Sequence, residues 1–297
     1  MASLSEILNS KAEMKQQRTE SRRAEREQLS QMRDGALMAI TTNPDLYARF
    51  LVLQADNIGL STGNIALSLS QMEDPTKIGT TDFWHKQGRY VMDEEMSKGA
   101  TVFVPPRNTN FRGYLMGSYY DVSQTTGRPL KETEPLAEGS DRMNAAFAAL
   151  LDTAPVGFIE NTGLDVPVRY NERECILEIN TEYSTGQVFA ALATEISFAR
   201  LHDRGMNRDY DRGAFQLNAE SVGFMVCRRF GVDCPLPDAA GVQQFYNYYT
   251  PDERSKSLDL MRQTARNMGD TVERGIQPRQ QEHTASRGSN NRQYGRR

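Results

Sequence analysis

The chain has 297 residues, an apolar share of 38% and a formal net charge of −4, enough to bury one large core or two modest ones. The mildly acidic balance gives no global attraction for nucleic acid, and Cys175, Cys227 and Cys234 form no C-x-x-C pair. No apolar run reaches the roughly 20 residues of a membrane-spanning helix, so a disulfide scaffold and a membrane protein are excluded and a cytoplasmic protein is expected.

Residues 1–34 open with Ser3-x-x-Glu6, a capping-box pattern, and continue as a Gln- and Arg-rich stretch with few apolar positions. They read as a charged helical or disordered arm. The sharper reading is a basic arm that touches phosphate. From residue 35 the texture changes. Asn43-Pro44 suits a helix start, and Ser61 precedes the helical run "TGNIALSLSQ". The stretch "TDFWHKQGRYVM" gathers aromatics around Gly88, and "ATVFVPP" and "GYLMGSYYDV" read as strands. Residues 129–142 are polar, with prolines and glycines, and read as a linker.

Beyond the linker, "MNAAFAALL" is a short helix, and "VPVRYNERECILEI" reads as a hairpin around Asn171-Glu172-Arg173. The helical run "TGQVFAALATEISFARLH" follows, then a polar loop over 203–213, then a second helix, "AFQLNAESVGFMVCRRFG". The final helix has Thr250 as cap, Pro251 in its first turn and Glu253 to complete a capping box. Its apolar stripe is Leu258, Met261, Ala265, Met268 and Val272, and Gly275 suits a stop. The Arg-rich residues 276–297 read as a disordered tail.

Within the first of the paired helices, Thr194-Glu195-Ile196-Ser197-Phe198 has the spacing of the zinc-binding H-E-x-x-H pattern. A catalytic zinc needs three protein ligands and an open position. Here Thr194 and Phe198 stand at the histidine positions, and Gln216 on the second helix stands at the third. A hydroxyl, a phenyl ring and a carboxamide do not hold zinc, so Glu195 has no metal-bound water to deprotonate. Glu220, four residues past Gln216, would be the supporting acid. His202 lies eight residues past Thr194, more than two turns away and too far to replace a ligand. Among His85, His202 and His283, none has an evident cysteine partner for a nucleophilic mechanism. No catalytic residue, metal or cofactor is expected, and Glu195 and Glu220 are read as vestigial.

The order "TEISFARLH", then "NAESVGFMVCRRFGVD", resembles the C-terminal domain of ArdC-like anti-restriction proteins of plasmids and other mobile elements. In that family the first stretch reads H-E-x-x-H-A-x-L-H and the second carries A-E-S-V-A-Y. "GNIALSLSQ", "DFWHKQGRYV", "SKGATVFVPP" and "YYDVSQTTGRPL" are similar to successive segments of that family's N-terminal half, so the resemblance spans roughly residues 43–275. It implies an α+β protein: an N-terminal α+β domain of single-stranded-DNA-binding type over 35–128, then a zincin-like α+β domain over 143–275. The metal ligands are missing, as argued above. The DNA-binding half is also less basic than the resemblance implies, with nine Lys/Arg against twelve Asp/Glu between Asn43 and Glu138. Acids facing a strand reduce the counterion-release contribution to affinity, whereas aromatic stacking still contributes about 1–3 kcal/mol per base.

The nucleic-acid-binding candidates are therefore Phe83, Trp84, Lys86, Arg89, Tyr90, Lys98, Arg107 and Arg112, with Phe111, Tyr114, Tyr119 and Tyr120 as further aromatics. The expected function is that of a non-catalytic accessory protein of a mobile element or phage that binds single-stranded DNA. The alternative is a pseudoenzyme acting through protein–protein contacts, as scaffold or inhibitor, without nucleic acid.

Overall fold

Asn43 accepts the backbone N–H groups of Asp45 and Leu46, and Pro44 occupies the first turn of helix α2 (Pro44–Asp56). Local signals of this kind set most helix starts. Ser61 caps α3 (Thr62–Gln71), and Ser140 caps α5 (Asp141–Leu151). Thr250, Pro251 and Glu253 build the expected capping box of α9 (Pro251–Ile276), and its stripe from Leu258 to Val272 is buried. The computed structural model describes residues 4–106, 113–131 and 133–277. Ser3, the Arg-rich residues 278–297, Phe111 and the candidates Arg107 and Arg112 lie outside the described residues. Helix α1 (Leu4–Ile40) runs unbroken from the charged arm into the core, where Leu29, Leu37 and Ile40 are buried.

The N-terminal half adds β1 (Ile78–Gly79), α4 (Thr81–Lys86), β2 (Arg89–Val91), β3 (Ala100–Val104), β4 (Leu115–Asp121) and β5 (Thr125–Gly127). Strand β4 sits between β1 and β3, antiparallel to both, and β2 and β5 form a separate antiparallel ribbon. After α5 come β6 (Gly157–Glu160), β7 (Val168–Asn171) and β8 (Ile176–Ile179). The β7–β8 hairpin pairs Val168 with Ile179 and turns at the expected place. Strand β6 joins the other side of β8 in parallel. The paired helices are α6 (Thr185–His202) and α7 (Arg212–Phe230), and a short α8 (Val242–Phe245) precedes α9. The molecule is α+β, with small sheets at the margins of a helical core.

One contiguous apolar cluster runs from Leu29 on α1 to Val272 on α9 and includes residues from both sides of 129–142. Polar ties reinforce it. The buried hydroxyl of Tyr47 on α2 shares a hydrogen bond with Ser221 on α7 at 2.9 Å. Arg228 grips Asp56 through two bonds of 2.8 Å. The buried guanidinium of Arg254 donates to the Thr41 hydroxyl and the Tyr246 carbonyl, both at 2.6 Å. Glu138, within 129–142, accepts the N–H groups of Thr185 and Gly186 at 2.7 and 2.8 Å, placing an anion on the N-terminus of α6.

Gly275 departs from its expected role as a stop. The helix runs on to Ile276, and a Cβ at Gly275 would lie 2.4 Å from the Cβ of Ala149. The glycine lets α9 approach α5. Among the described residues, no helix is long and apolar enough to cross a membrane.

Candidate functional site

Helices α6 and α7 approach closely where Gly223 faces Thr194: a Cβ on Gly223 would fall 2.2 Å from the Thr194 hydroxyl oxygen. This contact holds the face carrying Glu195 and Phe198 in the interior. Phe198 is buried, and Glu195 is only 7% exposed. A carboxylate so placed needs charge-assisted partners. It accepts the N–H of Tyr170 on β7 at 2.8 Å and forms a short ion pair with Arg212, the first residue of α7.

Arg212 is the residue that sequence reading missed. Its guanidinium carbon lies 3.9 Å from the centroid of the Phe198 ring, so one cation covers Phe198 while pairing with Glu195. Burial disfavours the charge on Arg212, but the bond to Glu195 and the nearby Glu172 outweigh it, and its pKa is raised. Glu172 stands 3.9 Å from one Arg212 nitrogen and accepts the Tyr210 hydroxyl at 3.0 Å. The Tyr210 ring lies against His202, whose Nδ1 is 2.7 Å from the Tyr170 hydroxyl. Two successive left-handed residues, Asp203 and Arg204, turn the chain out of α6. That conformation costs roughly 1–2 kcal/mol per non-glycine residue. Arg204 offsets part of the cost by donating twice to the Pro155 carbonyl, at 3.1 and 2.6 Å.

A metal does not fit here. The Thr194 hydroxyl turns back to its own helix, 3.5 Å from the Ala190 carbonyl, and the Gln216 amide donates to Glu220 at 2.8 Å. Arg212 brings a fixed positive charge to the same face. Among the described residues, no group of three or more His, Cys, Asp or Glu side chains is placed to hold an ion. The signal for Arg212 was the sequence Asp211-Arg212 just before the second helix: Asp211 caps α7 by accepting the Ala214 N–H at 2.7 Å, which puts Arg212 in the first turn.

The structure disperses the nucleic-acid candidates. Trp84 must be corrected: it is fully buried and donates its indole N–H to the Tyr120 carbonyl at 3.0 Å, so no base can reach it. Arg89 must be corrected as well. Its guanidinium bonds the Thr125 hydroxyl, the Arg128 carbonyl and the Thr125 carbonyl at 2.7–2.8 Å, clamping the β2–β5 ribbon. Phe83 is half-buried, its ring lying over Gly79. Lys98 is exposed but paired with Glu95 at 2.6 Å. Lys86 is exposed, as is Tyr90, whose ring leans on His85. Tyr119 and Tyr120 are buried.

A different concavity gathers the complementary chemistry. A groove of roughly 820 Å³ runs between α1, the N-terminus of α3, the β3–β4 end and α9. Arg26 and Arg33 line it from α1, Lys256 from α9, and Tyr114 and Phe103 from the sheet. Tyr114 is 63% exposed, and Arg26 donates to its carbonyl. Asn64 fixes the floor by donating to the Phe103 carbonyl at 2.7 Å and the Tyr119 hydroxyl at 3.1 Å. Gly63 leaves room for the Arg33 stem, which a Cβ would meet at 3.0 Å. Asp259 also lines the groove, and Arg33 is paired with Asp34 at 2.7 Å.

No family model matches the chain, and no curated protein matches it. Among solved structures, the chain is similar to the antirestriction protein ArdC from the R388 plasmid. The metal-free crystal structure is 16% identical with a TM-score of 0.44, and the Mn(II)-bound one is 19% identical with a TM-score of 0.46. Each match covers 72% of this chain and 84% of the other.

Proposed function

We propose that this protein is a non-catalytic accessory factor of a mobile element or phage, of the anti-restriction kind, and that it binds single-stranded DNA. The observation that carries the binding reading is the groove lined together by Arg26, Lys256, the Asp34-paired Arg33 and the exposed Tyr114. Cations along a strand's path and a free aromatic face are what sequence-tolerant single-strand binding requires. The anti-restriction setting rests on the motif order of the sequence.

The non-catalytic half of the reading is supported by Glu195. Each of its carboxylate oxygens already holds a protein donor, the Tyr170 N–H on one and the Arg212 guanidinium on the other, so Glu195 is tied into the fold as an ion-pair partner. The test is titration of a labelled single-stranded oligonucleotide with the full chain at low and moderate salt. Saturable binding that weakens with salt is expected, and Tyr114→Ala should cost about 1–3 kcal/mol. No binding at low salt would end the reading.

A second reading, action through protein contacts, has its own observation. A groove of about 580 Å³ beside α7 brings Asp209, Glu220 and Asp238 together with Phe215, Phe245 and Tyr249. Acids and rings in one concavity suit a basic segment of a partner protein. A partner retained after nuclease treatment, and lost on Glu220→Lys, would favour this reading over the first.

A further inference from the structure

Helix α1 projects well beyond the core, since every described side chain from Leu8 to Glu25 is exposed. An isolated helix in water gains from alternating charges at i,i+4 and loses roughly 0.2–0.5 kcal/mol for each like-charged pair. This helix has such a pair in Arg23–Glu27, but one of its faces does the opposite. Lys11 stands four residues before Lys15, Arg18 four before Arg22, and Arg22 four before Arg26. At 3.6 residues per turn, Lys11, Lys15, Arg18 and Arg22 fall within about 60° of one another, and these four line one shallow surface. Glu13, Glu20 and Glu27 recur every seven residues and fall on the far side, roughly 170° away, whereas Asp34, the next in that series, pairs with Arg33 at 2.7 Å. Glu25, the acid bordering the basic stripe, is turned to the Ser21 hydroxyl at 3.1 Å.

The stripe does not stop at the core. Arg26 continues it into the groove that holds Tyr114, and Arg33, paired with Asp34 at 2.7 Å, lines the same groove. From Lys11 to Arg33 the track is about 33 Å long, with most axial steps of about 4.5–6 Å. Steps of that size are comparable with the separation of successive phosphates in an extended single strand. Like charges gathered on one face repel each other there, and an anionic polymer lying along that face relieves the repulsion.

We propose that the Lys11, Lys15, Arg18 and Arg22 face of α1 is a phosphate track that extends the groove, so that a bound single strand leaves Tyr114 and runs outward along the helix. This inference rests on the single-strand reading above and adds where the rest of the strand goes. The track fixes backbone, not sequence, so its contribution is salt-dependent and indifferent to base identity.

The test compares the full chain with the quadruple variant Lys11→Gln, Lys15→Gln, Arg18→Gln, Arg22→Gln, in which glutamine preserves helix propensity. Labelled oligothymidylate of about 20 nucleotides, longer than a typical single-fold site, is titrated across a salt series. The slope of log affinity against log salt should become shallower by about 3, from roughly 0.7 for each neutralised phosphate. Between about 50 and 200 mM salt the wild type should therefore lose some 50-fold more affinity than the variant. The triple variant Glu13→Gln, Glu20→Gln, Glu27→Gln should keep the wild-type slope. A quadruple variant with the wild-type slope, while the wild type binds, overturns the track and leaves the groove standing. Failure of the wild type to bind at low salt overturns the single-strand reading itself. Equal affinity for a duplex of the same length would overturn the single-strand assignment of the track.

Discussion

At the scale of single residues, Arg212 decides the character of the site. Its side chain is 39% exposed, whereas that of Glu195 is only 10% exposed, so removing the cation strands a nearly buried carboxylate. A fully buried pair broken on one side costs about 3–5 kcal/mol, and the half-open position of Arg212 reduces this to roughly 1–3 kcal/mol. Arg212→Ala should lower the urea-unfolding free energy by that amount. Arg212→Ala combined with Glu195→Gln should lose less than the sum of the two single changes, because the unpaired charge is then gone. A second expectation concerns metal: after equilibration with excess zinc and desalting, elemental analysis should find well under one zinc per chain. Stoichiometric zinc would overturn the non-catalytic reading, because zinc catalysis requires a full ligand set.

At the scale of elements, two helix contacts carry testable weight. Gly223→Ala forces a Cβ to within 2.2 Å of the Thr194 hydroxyl oxygen, and overpacking of this kind typically costs about 1–3 kcal/mol. Thr194→Ala in the same chain should recover part of that loss, read as a shift in denaturation midpoint. The second contact ties α9 to α3 and to the groove. Burial raises the pKa of Asp259, but bonds from Arg262, Gln263 and Thr62 outweigh it and hold the carboxyl below its ordinary value of 3.8. Because the folded-state pKa lies below the unfolded one, Asp259 contributes stability above the unfolded value, and this is lost as pH falls through the folded value. Unfolding free energy measured from pH 5 downward should therefore fall less steeply in Asp259→Asn than in the wild type. An unchanged acid limb would show that the carboxylate contributes nothing.

At the scale of the whole molecule, the apolar cluster and the ties Tyr47–Ser221, Asp56–Arg228 and Thr41–Arg254 join the two ends of the chain. Buried contacts shared this widely make unfolding cooperative. Calorimetry should show one transition, with van't Hoff and calorimetric enthalpies in agreement. Two separable transitions, or stable halves after cleavage within 129–142, would show that the halves fold independently. The same arrangement brings residues of α1 and α9 to one groove, so that groove belongs to the assembled fold rather than to either half.

The sequence by itself determined the features that depend on near neighbours. The caps at Asn43, Ser61 and Thr250, the stripe of α9 and the turn after Asn171 were legible because each is settled by residues three or four positions apart. The expectation that Thr194, Phe198 and Gln216 form no zinc site came from side-chain identity, since a phenyl ring cannot coordinate a metal and a neutral hydroxyl and amide are weak ligands. Tertiary structure decided which side chains face water and which cross between elements. Trp84 and Arg89 have the composition of a binding patch, yet one fills the core and the other clamps a ribbon. Arg212 is unremarkable in the chain until the α6–α7 crossing places its guanidinium over Phe198 and against Glu195. Arg26 and Lys256 stand far apart in sequence and meet across one groove. Burial and long-range pairing depend on the path of the whole chain, and a local pattern carries no record of that path.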